Sequence, residues 1–268
     1  HRRLFTEIEV PGGSTVTLPG RLLHRPAHPP PPPTPPGYER ATPGDLFTAW
    51  PVRRGTGCEH SGDGRGQVDT AASRSSSGLS PGGPPRPLDG IRVADFSWVM
   101  AGPHATRLLG DLGADVIRVQ TAARSATIND PAEPFFAVWN RSKRSASLDM
   151  SHPRALEFAR RLVEHSDVLI ENFSAGVLAR WGLDWDTLQR WNPRLIYITM
   201  SGCGHDGPWR DLIAFAPTIH AWCGLSYLTN PADVRDVGPG VSTSDHAAGI
   251  AAALAAAAAL LDRERTGR

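Results

Sequence analysis

From Pro87 onward the chain alternates between short apolar runs and longer segments with helical periodicity. The apolar runs are short enough for buried strands, and they fall at 90–96, 115–119, 167–170 and 195–200. The segments between them repeat apolar residues every three or four positions, which predicts helices at 104–112, 153–163, 175–180 and 185–191. Strands that alternate with helices favour parallel pairing. The pattern therefore predicts an α/β fold with a doubly wound, Rossmann-like and mostly parallel sheet.

The last block, Val241 to Arg268, has the strongest helical pattern in the chain. A polar turn, 242–245, leads into a run dominated by alanine and leucine, and Gly267 follows a charged last turn. Charged residues followed by glycine are a common helix ending. Because apolar residues surround this helix on all sides, we expect a buried core helix. It is too short and too rich in alanine for a convincing membrane span.

Asp245 lies at the start of this helix, where the helix dipole favours a negative charge. One interpretation makes it an N-cap, whose carboxylate accepts backbone N–H groups. The other makes it a nucleophilic or acid–base carboxylate in a partly buried pocket. The spacing of the residues is compatible with both interpretations and does not decide between them.

Ligands bind beyond the carboxyl ends of the strands in doubly wound sheets. The polar, glycine-rich segments expected at these ends, which could line one cleft, are 97–103, 120–124, 171–173 and 201–208. The glycine patterns of dinucleotide-binding and P-loop folds do not occur, so neither function is supported. A basic stretch, 140–145, fits either a solvated turn or a phosphate contact, since arginine and lysine suit phosphate groups.

Composition excludes several classes of function. The chain has 28 Lys and Arg against 27 Asp and Glu, so no basic surface for nucleic acid or an anionic membrane is indicated. Its three cysteines are scattered, which favours a reducing compartment, the cytoplasm, over a disulfide-bonded scaffold. The pairs His205–Asp206 and Asp245–His246 lack a third ligand at recognisable spacing, so we expect no metal.

The first third of the chain differs in character from the rest. Residues 1–54 begin with two strand-like runs around Pro11-Gly12-Gly13, which predict a β-hairpin, and continue into a proline-rich tail. Residues 55–86 are mostly Gly, Ser, Pro and Arg, and they bury too little apolar surface to offset the entropy of ordering. A flexible linker is therefore predicted there, and the α/β domain is expected over 87–268.

Four blocks of this domain carry a resemblance to a known family. They occur in order from Pro87 to Arg268, and they read PLDGIRVADFSWVMAGPHATRLLGDLGADVIRV, NRSKRSASLDM, DVLIENFSAGVLARWGLDWDTLQRWNPRLIYITMSGCGHDGPW and SDHAAGIAAALAAAAALLDRERTGR. Each resembles a block of the class III CoA-transferase family (CaiB/BaiF type), which includes formyl-CoA transferase, carnitine CoA-transferases and the related α-methylacyl-CoA racemases. Four blocks in order are far more specific than any one of them.

The resemblance implies an enzyme that moves CoA from an acyl-CoA thioester to a small carboxylic acid. It implies that Asp245 is the nucleophile and forms covalent intermediates, with CoA as a substrate and without a metal. The CoA contacts that it implies are Met100, Ala101, Arg124, Lys143, Arg144, Asn172, Phe173 and Arg180. Members of the family form interlocked dimers, so an interlocked homodimer or a tandem intramolecular pair is expected here.

Departures from the family pattern leave alternatives open. Gln120 stands where the family commonly has the glutamate of a Glu-x-Pro segment, and Arg124 is the candidate to replace that contact. Phe215 occupies the position where the racemase branch needs a histidine, which disfavours an acyl-CoA racemase or epimerase without excluding it. A catalytically silent CoA-binding half that serves as a pairing partner is the other alternative.

The resemblance also bears on domain organisation. Relatives continue past the position of Arg268, so the 87–268 domain is expected to be the N-terminal part of the family's large domain, incomplete at its C-terminus. Residues 1–54 weakly resemble the end of a preceding copy. Both features are expected of a fragment of a tandem fused member of the family.

Overall fold

A computed structural model describes residues 85–121, 130, 133–231 and 238–267, together with the backbone of two strands near the N-terminus. These strands, β1 (Phe5–Val10) and β2 (Ser14–Pro19), form an antiparallel hairpin. The proline-rich tail, residues 55–84 of the predicted linker and Arg124 lie outside the described residues. The division of the chain into three parts stays a prediction.

Five parallel strands form the central sheet of the described structure. They are β3 (Arg92–Asp95), β4 (Asp115–Gln120), β5 (Lys143–Ser147), β6 (Val168–Glu171) and β7 (Ile196–Thr199). Their spatial order is β5-β4-β3-β6-β7, and every pair of neighbours is parallel. The chain builds the sheet outward from β3, first to one side and then, after a crossover to β6, to the other. This confirms the predicted doubly wound α/β fold and sets its switch point between β3 and β6.

Helices cover both faces of the sheet. In chain order they are α1 (Ala101–Asp111), α2 (Pro134–Asn140), α3 (Ala155–Glu164), α4 (Val177–Arg180), α5 (Trp185–Trp191), α6 (Ala216–Trp222), α7 (Leu225–Thr229) and α8 (Thr243–Thr266). One core cluster joins α1 and α8 to strand residues such as Val168. The other joins α3, α4 and α5 to strand residues such as Leu169. Val168 and Leu169 face opposite layers because successive side chains of a strand alternate.

The structure of α8 corrects one expectation. Its inner face, which includes Ala252, Ala256 and Leu260, is buried in the core cluster shared with α1. Its outer face is open, with Leu254 66% and Leu261 68% exposed. The prediction of a helix buried on all sides is wrong, because an apolar sequence does not reveal which neighbours are present to cover it. By length and hydropathy alone α8 also qualifies as a membrane-spanning candidate, a test that apolar core helices pass as well.

The basic stretch 140–145 is not a solvated turn, because Arg141 and Ser142 form a turn in which Arg141 is buried and the following residues form the edge strand β5. The charges of its strand residues are compensated within the sheet, since Lys143 pairs with Asp95 and Arg144 pairs with Asp115. The sequence of β5 lacks the apolar alternation by which strands are recognised, so no strand was predicted. Helices α2, α6 and α7 were also not predicted, and each has seven residues or fewer.

Candidate active site

Two clefts open at the carboxyl end of the sheet. The first encloses about 300 Å³ and is lined mainly by residues that follow β3, β4 and β5. Its wall is largely apolar and aromatic, and the polar members of the lining are Ser97, Arg118, Gln120, Thr121, Asp149 and Ser151. The apolar wall consists of Phe96, Trp98, Val119, Leu148, Met150, Phe173 and Trp181.

The second cleft encloses about 460 Å³ and lies between the ends of β6 and β7 and the first turns of α8. Its lining includes Ala101, Asn172, Thr199, Ser201, Gly202, Phe215, Asp245, Ala248 and Ala252. Trp98 lines both clefts, at the switch point of the sheet. A ligand long enough to occupy both clefts therefore has to pass Trp98.

Asp245 lies in the wall of the second cleft, in the first turn of α8. Ser242 occupies the N-cap of this helix, so the interpretation of Asp245 as the N-cap is wrong. Partial burial raises the pKa of Asp245, whereas His246, His220 and the backbone N–H of Ala101 favour its ionised form. Since Ala101 is the first residue of α1, the carboxylate lies at two helix N-termini, both of which attract negative charge. The site thus holds a partly desolvated carboxylate in a fixed direction.

Two histidines flank Asp245 without entering the cleft. The Nδ1 atom of His246 lies 2.7 Å from the carbonyl oxygen of Ser242, which can only accept, so Nδ1 carries the proton. The His246 ring packs against His104 and Trp139, with ring centroids 5.2 Å away in each case. On the other side, Nε2 of His220 accepts the backbone N–H of Ser244 at 3.3 Å. These contacts fix the first turn of α8, in which Asp245 is the acidic side chain that lines the cleft.

Three of the residues predicted to contact CoA line the clefts, and two more are next in sequence to a lining residue. Met100 is the N-cap of α1, and Ala101 follows it in the lining of the second cleft. Asn172 lines the second cleft and Phe173 the first. Arg180 is exposed at the end of α4, next in sequence to Trp181 of the first cleft. Their contacts with CoA stay predictions.

Lys143 is buried below the clefts and is in neither lining. Its ammonium donates to Asp95 Oδ2, to the Pro103 carbonyl and to Asn140 Oδ1 at 3.0, 3.0 and 3.1 Å. An ammonium has three donors, so all of them are used within the protein. Burial lowers the pKa of Lys143 to about 8, and Asp95 acts against this shift, so the group stays charged at neutral pH. Lys143 thus ties β5 to β3 and α1, a position that does not favour the predicted contact with CoA.

Arg144 also lies away from the clefts. Its guanidinium forms two hydrogen bonds to the carboxylate of Asp115, the first residue of β4. This places it toward the amino end of the sheet, whereas both clefts are at the carboxyl end. The predicted contact of Arg144 with CoA is therefore not favoured by its position, and Arg124 lies outside the described residues.

Sequence reasoning missed part of the first cleft. Leu148, Met150 and Ser151 follow β5, a strand that was not recognised, so its carboxyl end was not searched for ligand contacts. Trp181 was missed because it follows a helix rather than a strand. Trp98 lay within the predicted segment 97–103 but was not singled out. A tryptophan directly after a central strand was the available signal.

Within the described ranges no group of three or more His, Cys, Asp and Glu side chains could hold a metal ion.

The family model of CoA-transferase family III matches residues 88–268, which include both clefts and Asp245. The chain belongs to CoA-transferase family III.

Curated relatives support this membership. The beta subunit of succinyl-CoA–L-malate CoA-transferase from Chloroflexus aurantiacus is 40% identical over 190 residues, 68% of this chain and 47% of the relative. Succinyl-CoA:glutarate CoA-transferase of Mus musculus is 35% identical over 68% of this chain and 44% of its own length. Formyl-CoA:oxalate CoA-transferase of Streptomyces avermitilis is 36% identical over 68% of this chain and 46% of its own length. The chain thus spans about half the length of the curated relatives that it matches.

Solved structures of family members have the same fold. A CAIB/BAIF family protein from Brucella suis superimposes with a TM-score of 0.64 at 36% identity, covering 69% of this chain and 52% of that one. A protein from Mycobacterium tuberculosis gives a TM-score of 0.65 at 34% identity, covering 69% of this chain and 53% of that one. The CoA-transferase family III fold therefore comprises the sheet and helices that form both clefts.

Proposed function

We propose that this chain carries the CoA-binding cleft and the nucleophile of an enzyme that transfers CoA from an acyl-CoA to a carboxylic acid. The observation that carries the proposal is the position of Asp245 in the wall of the second cleft, which Trp98 joins to the first, largely apolar cleft. CoA combines a nucleotide with a long thiol arm. A ligand of that shape can place its nucleotide in the first cleft and its thioester beside Asp245.

In the first half of the reaction, Asp245 receives the acyl group of the donor and then exchanges the donor acid for CoA. A carboxylate oxygen of Asp245 attacks the thioester carbonyl, so that a C–O bond forms, the C–S bond breaks and CoA leaves as a thiolate. The product is a mixed anhydride of Asp245 and the donor acid. The thiolate then attacks the Asp245 carbonyl carbon, which releases the donor acid and leaves CoA bound to Asp245 as a thioester.

The second half reverses these steps with the acceptor acid. Its carboxylate attacks the Asp245 thioester and expels the CoA thiolate, which gives a second mixed anhydride. The thiolate then attacks the acceptor's carbonyl carbon, so that acceptor-CoA leaves and Asp245 returns to a carboxylate. Each step exchanges one leaving group for another, and covalent catalysis divides one difficult exchange into easier ones.

The surroundings of Asp245 fit this role. The Ala101 N–H and the two helix N-termini stabilise a negative charge at the carboxylate. Partial burial removes water that would otherwise solvate the nucleophile and hydrolyse the anhydride. These contacts are available to Asp245 before the acyl-CoA arrives, so the nucleophile is held in place in advance.

Hydroxylamine trapping tests the proposal on the full-length protein. Succinyl-CoA is the first donor to use because it stands in the names of several relatives, with malate, glutarate and citramalate as acceptors, and formyl-CoA with oxalate as a second pair. Hydroxylamine converts an activated Asp245 into a hydroxamate that peptide mass spectrometry locates. Asp245→Asn should abolish the adduct and lower the transfer rate by roughly a thousandfold or more. Asp206→Asn, at an exposed loop position, is the matched control and should change neither.

Other outcomes favour the alternatives. A protein that interconverts the stereoisomers of an α-methylacyl-CoA without forming the adduct would be a racemase or epimerase, with Asp245 as an acid–base group. One that binds CoA but catalyses neither reaction would be a silent CoA-binding half. A protein that does not bind CoA would contradict the proposal.

We also propose that the chain pairs with a second copy of itself or with a second half of a tandem chain, in the cytoplasm. The exposed apolar outer face of α8, with Leu254 and Leu261, supports an interface there. The names of two relatives designate an alpha and a beta subunit of one transferase. The free thiols of Cys203 and Cys223 are compatible with a reducing compartment. Sedimentation of the full-length protein would give the number of chains in the assembly.

A further inference from the structure

The Trp98 turn, residues 97–100, connects β3 to α1 and borders both clefts. Within it Val99 has a φ angle of 62°, in the left-handed region. That region is uncommon for residues other than glycine and is an outlier for a β-branched one. Such a strained backbone persists only where the surrounding structure holds it. Neighbouring residues therefore have to hold the Trp98 turn in this conformation.

Asn172 holds the turn from the other side of the switch point. Its Oδ1 accepts the backbone N–H of Trp98 at 2.9 Å, and its Nδ2 donates to the backbone carbonyl of Trp98 at 2.9 Å. One side-chain amide thus satisfies both polar backbone groups of a single residue, as a neighbouring strand would do. Because Asn172 follows β6 and Trp98 follows β3, these bonds close the crevice between the two central strands.

The first turn of α1 packs directly on this pair. A Cβ atom added at Gly102 would lie 2.1 Å from Cβ of Ser97 and 3.3 Å from Cγ of Asn172. The first of these distances is impossible without displacement, so the site accepts only glycine. Asn172, the Trp98 turn and the start of α1 therefore form one closely packed unit, which includes Ala101, whose backbone N–H favours the ionised form of Asp245.

We infer that Asn172 is a positioning residue. It acts as a clamp that fixes the Trp98 turn, and through this turn the Ala101 N–H, against Asp245. This inference rests on the proposed function, because the clamp is inferred to hold the site in place for the acylation of Asp245. The resemblance implies a contact between Asn172 and CoA, but the structure uses the polar atoms of this side chain on Trp98. Removing the amide should therefore slow the chemical step rather than weaken CoA binding.

The test compares Asn172→Ala with the wild type in the full-length protein. The rate of Asp245 acylation by succinyl-CoA at saturation should fall roughly 10- to 100-fold, since a displacement of about 1 Å has that effect. The Kd for CoA should change by less than about threefold, because the groups that bind CoA are not removed. Hydrogen exchange of the Trp98 amide, which donates to Asn172, should become faster.

Asn192→Ala is the matched control. Its amide also holds backbone groups, donating to the carbonyls of Val163 and Ser166 at 3.0 and 2.7 Å, but it lines neither cleft. This variant should lose thermal stability while it keeps the acylation rate. An equal loss of acylation in both variants would show a general structural effect and would overturn the positioning role.

Asn172→Asp provides a second readout. The introduced carboxylate can accept from the Trp98 N–H but repels the Trp98 carbonyl, whereas its protonated form can donate to that carbonyl as the amide does. The acylation rate relative to wild type should therefore rise as the pH falls from about 7 to about 5. A ratio that does not vary with pH would count against the clamp.

The results separate this inference from the proposed function. If the wild type forms no acyl-Asp245, the proposed function fails, and the Trp98 exchange rate still decides whether Asn172 holds the turn. Unchanged exchange in Asn172→Ala would overturn the clamp. A weaker Kd for CoA with an unchanged acylation rate would assign Asn172 to direct CoA binding instead.

Discussion

Glu171 is a carboxyl buried at the end of β6, with 1% of its side chain exposed. Its Oε2 accepts the Phe173 N–H at 2.8 Å, and its Oε1 lies 3.3 Å from the hydroxyl of Tyr197 and 3.3 Å from Nε2 of His205. Burial raises the pKa of Glu171 to about 7, although the hydrogen bonds from Phe173 and Tyr197 act in the opposite direction. The residue joins the turn that contains Asn172 to the loop that follows β7.

Glu171→Gln should flatten the dependence of stability on pH. The folded state holds the proton of Glu171 up to a higher pH than the unfolded state, so stability falls as the pH rises from about 4.5 to about 7. The loss is on the order of 3 kcal/mol, at about 1.4 kcal/mol for each pKa unit. Urea unfolding at a series of pH values would measure it. Glu157→Gln, at an exposed site on α3, is the control, and parallel curves for wild type and Glu171→Gln would refute the prediction.

The packing of α8 on α1 determines where Asp245 lies. At the contact, a Cβ atom on Gly249 would be 2.9 Å from the carbonyl oxygen of Ala101 and 2.9 Å from Cβ of His104. Glycine is normally unfavourable inside a helix. Here it lets the backbone of α8 approach α1 one turn after Asp245, close enough for the Ala101 N–H to reach the carboxylate.

Gly249→Ala should therefore destabilise the protein by roughly 1–3 kcal/mol, because overpacking forces the two helices apart. In an exposed helix the same substitution would stabilise by about 1 kcal/mol, so the sign of the change tests the close contact. The rate of Asp245 acylation should fall as well. Denaturant unfolding and hydroxylamine trapping measure the two effects, and Ala247→Ser, at an exposed position of α8, is the control. A more stable variant would contradict the close packing of the helices.

Across the whole molecule, the proposed function divides binding and chemistry between the two clefts. The first is apolar and aromatic, and it contains no residue that attacks a thioester in the proposed reaction. The ring of Phe173 is part of its lining, and the ring centroid lies 6.3 Å from that of Trp98 and 5.2 Å from that of Trp181. The second contains Asp245. In the proposed reaction, contacts between CoA and the first cleft are the same before and during the chemical step, so we expect them to contribute uniform binding.

Phe173→Ala should raise the KM for acyl-CoA roughly tenfold and leave kcat unchanged, because it removes uniform binding. Steady-state kinetics on the full-length protein would measure both constants. Trp185→Ala removes an aromatic ring that stacks on Tyr197 outside both clefts, and it should leave KM unaltered. A fall in kcat with an unchanged KM would contradict the division between the clefts.

Strongly periodic segments were predicted correctly, and segments held by tertiary contacts were not. The apolar runs that became β3, β4, β6 and β7 were recognised because their composition alone requires burial. β5 was missed because the charges of Lys143 and Arg144 are compensated by Asp95 and Asp115, which are distant in sequence. The same reason explains why Lys143 looked available for phosphate although its donors are all used.

The sequence by itself determined the alternation of strands and helices, and thereby the doubly wound fold, since burial of apolar residues is encoded locally. It also singled out Asp245 and left two interpretations of this residue, an N-cap or a reactive carboxylate. Only the tertiary structure decided that Ser242 takes the N-cap and that Asp245 lines a cleft beside the Ala101 N–H. It alone joined Asn172 to Trp98, 74 positions apart in sequence, because a contact across the switch point exists only once β3 and β6 are neighbours.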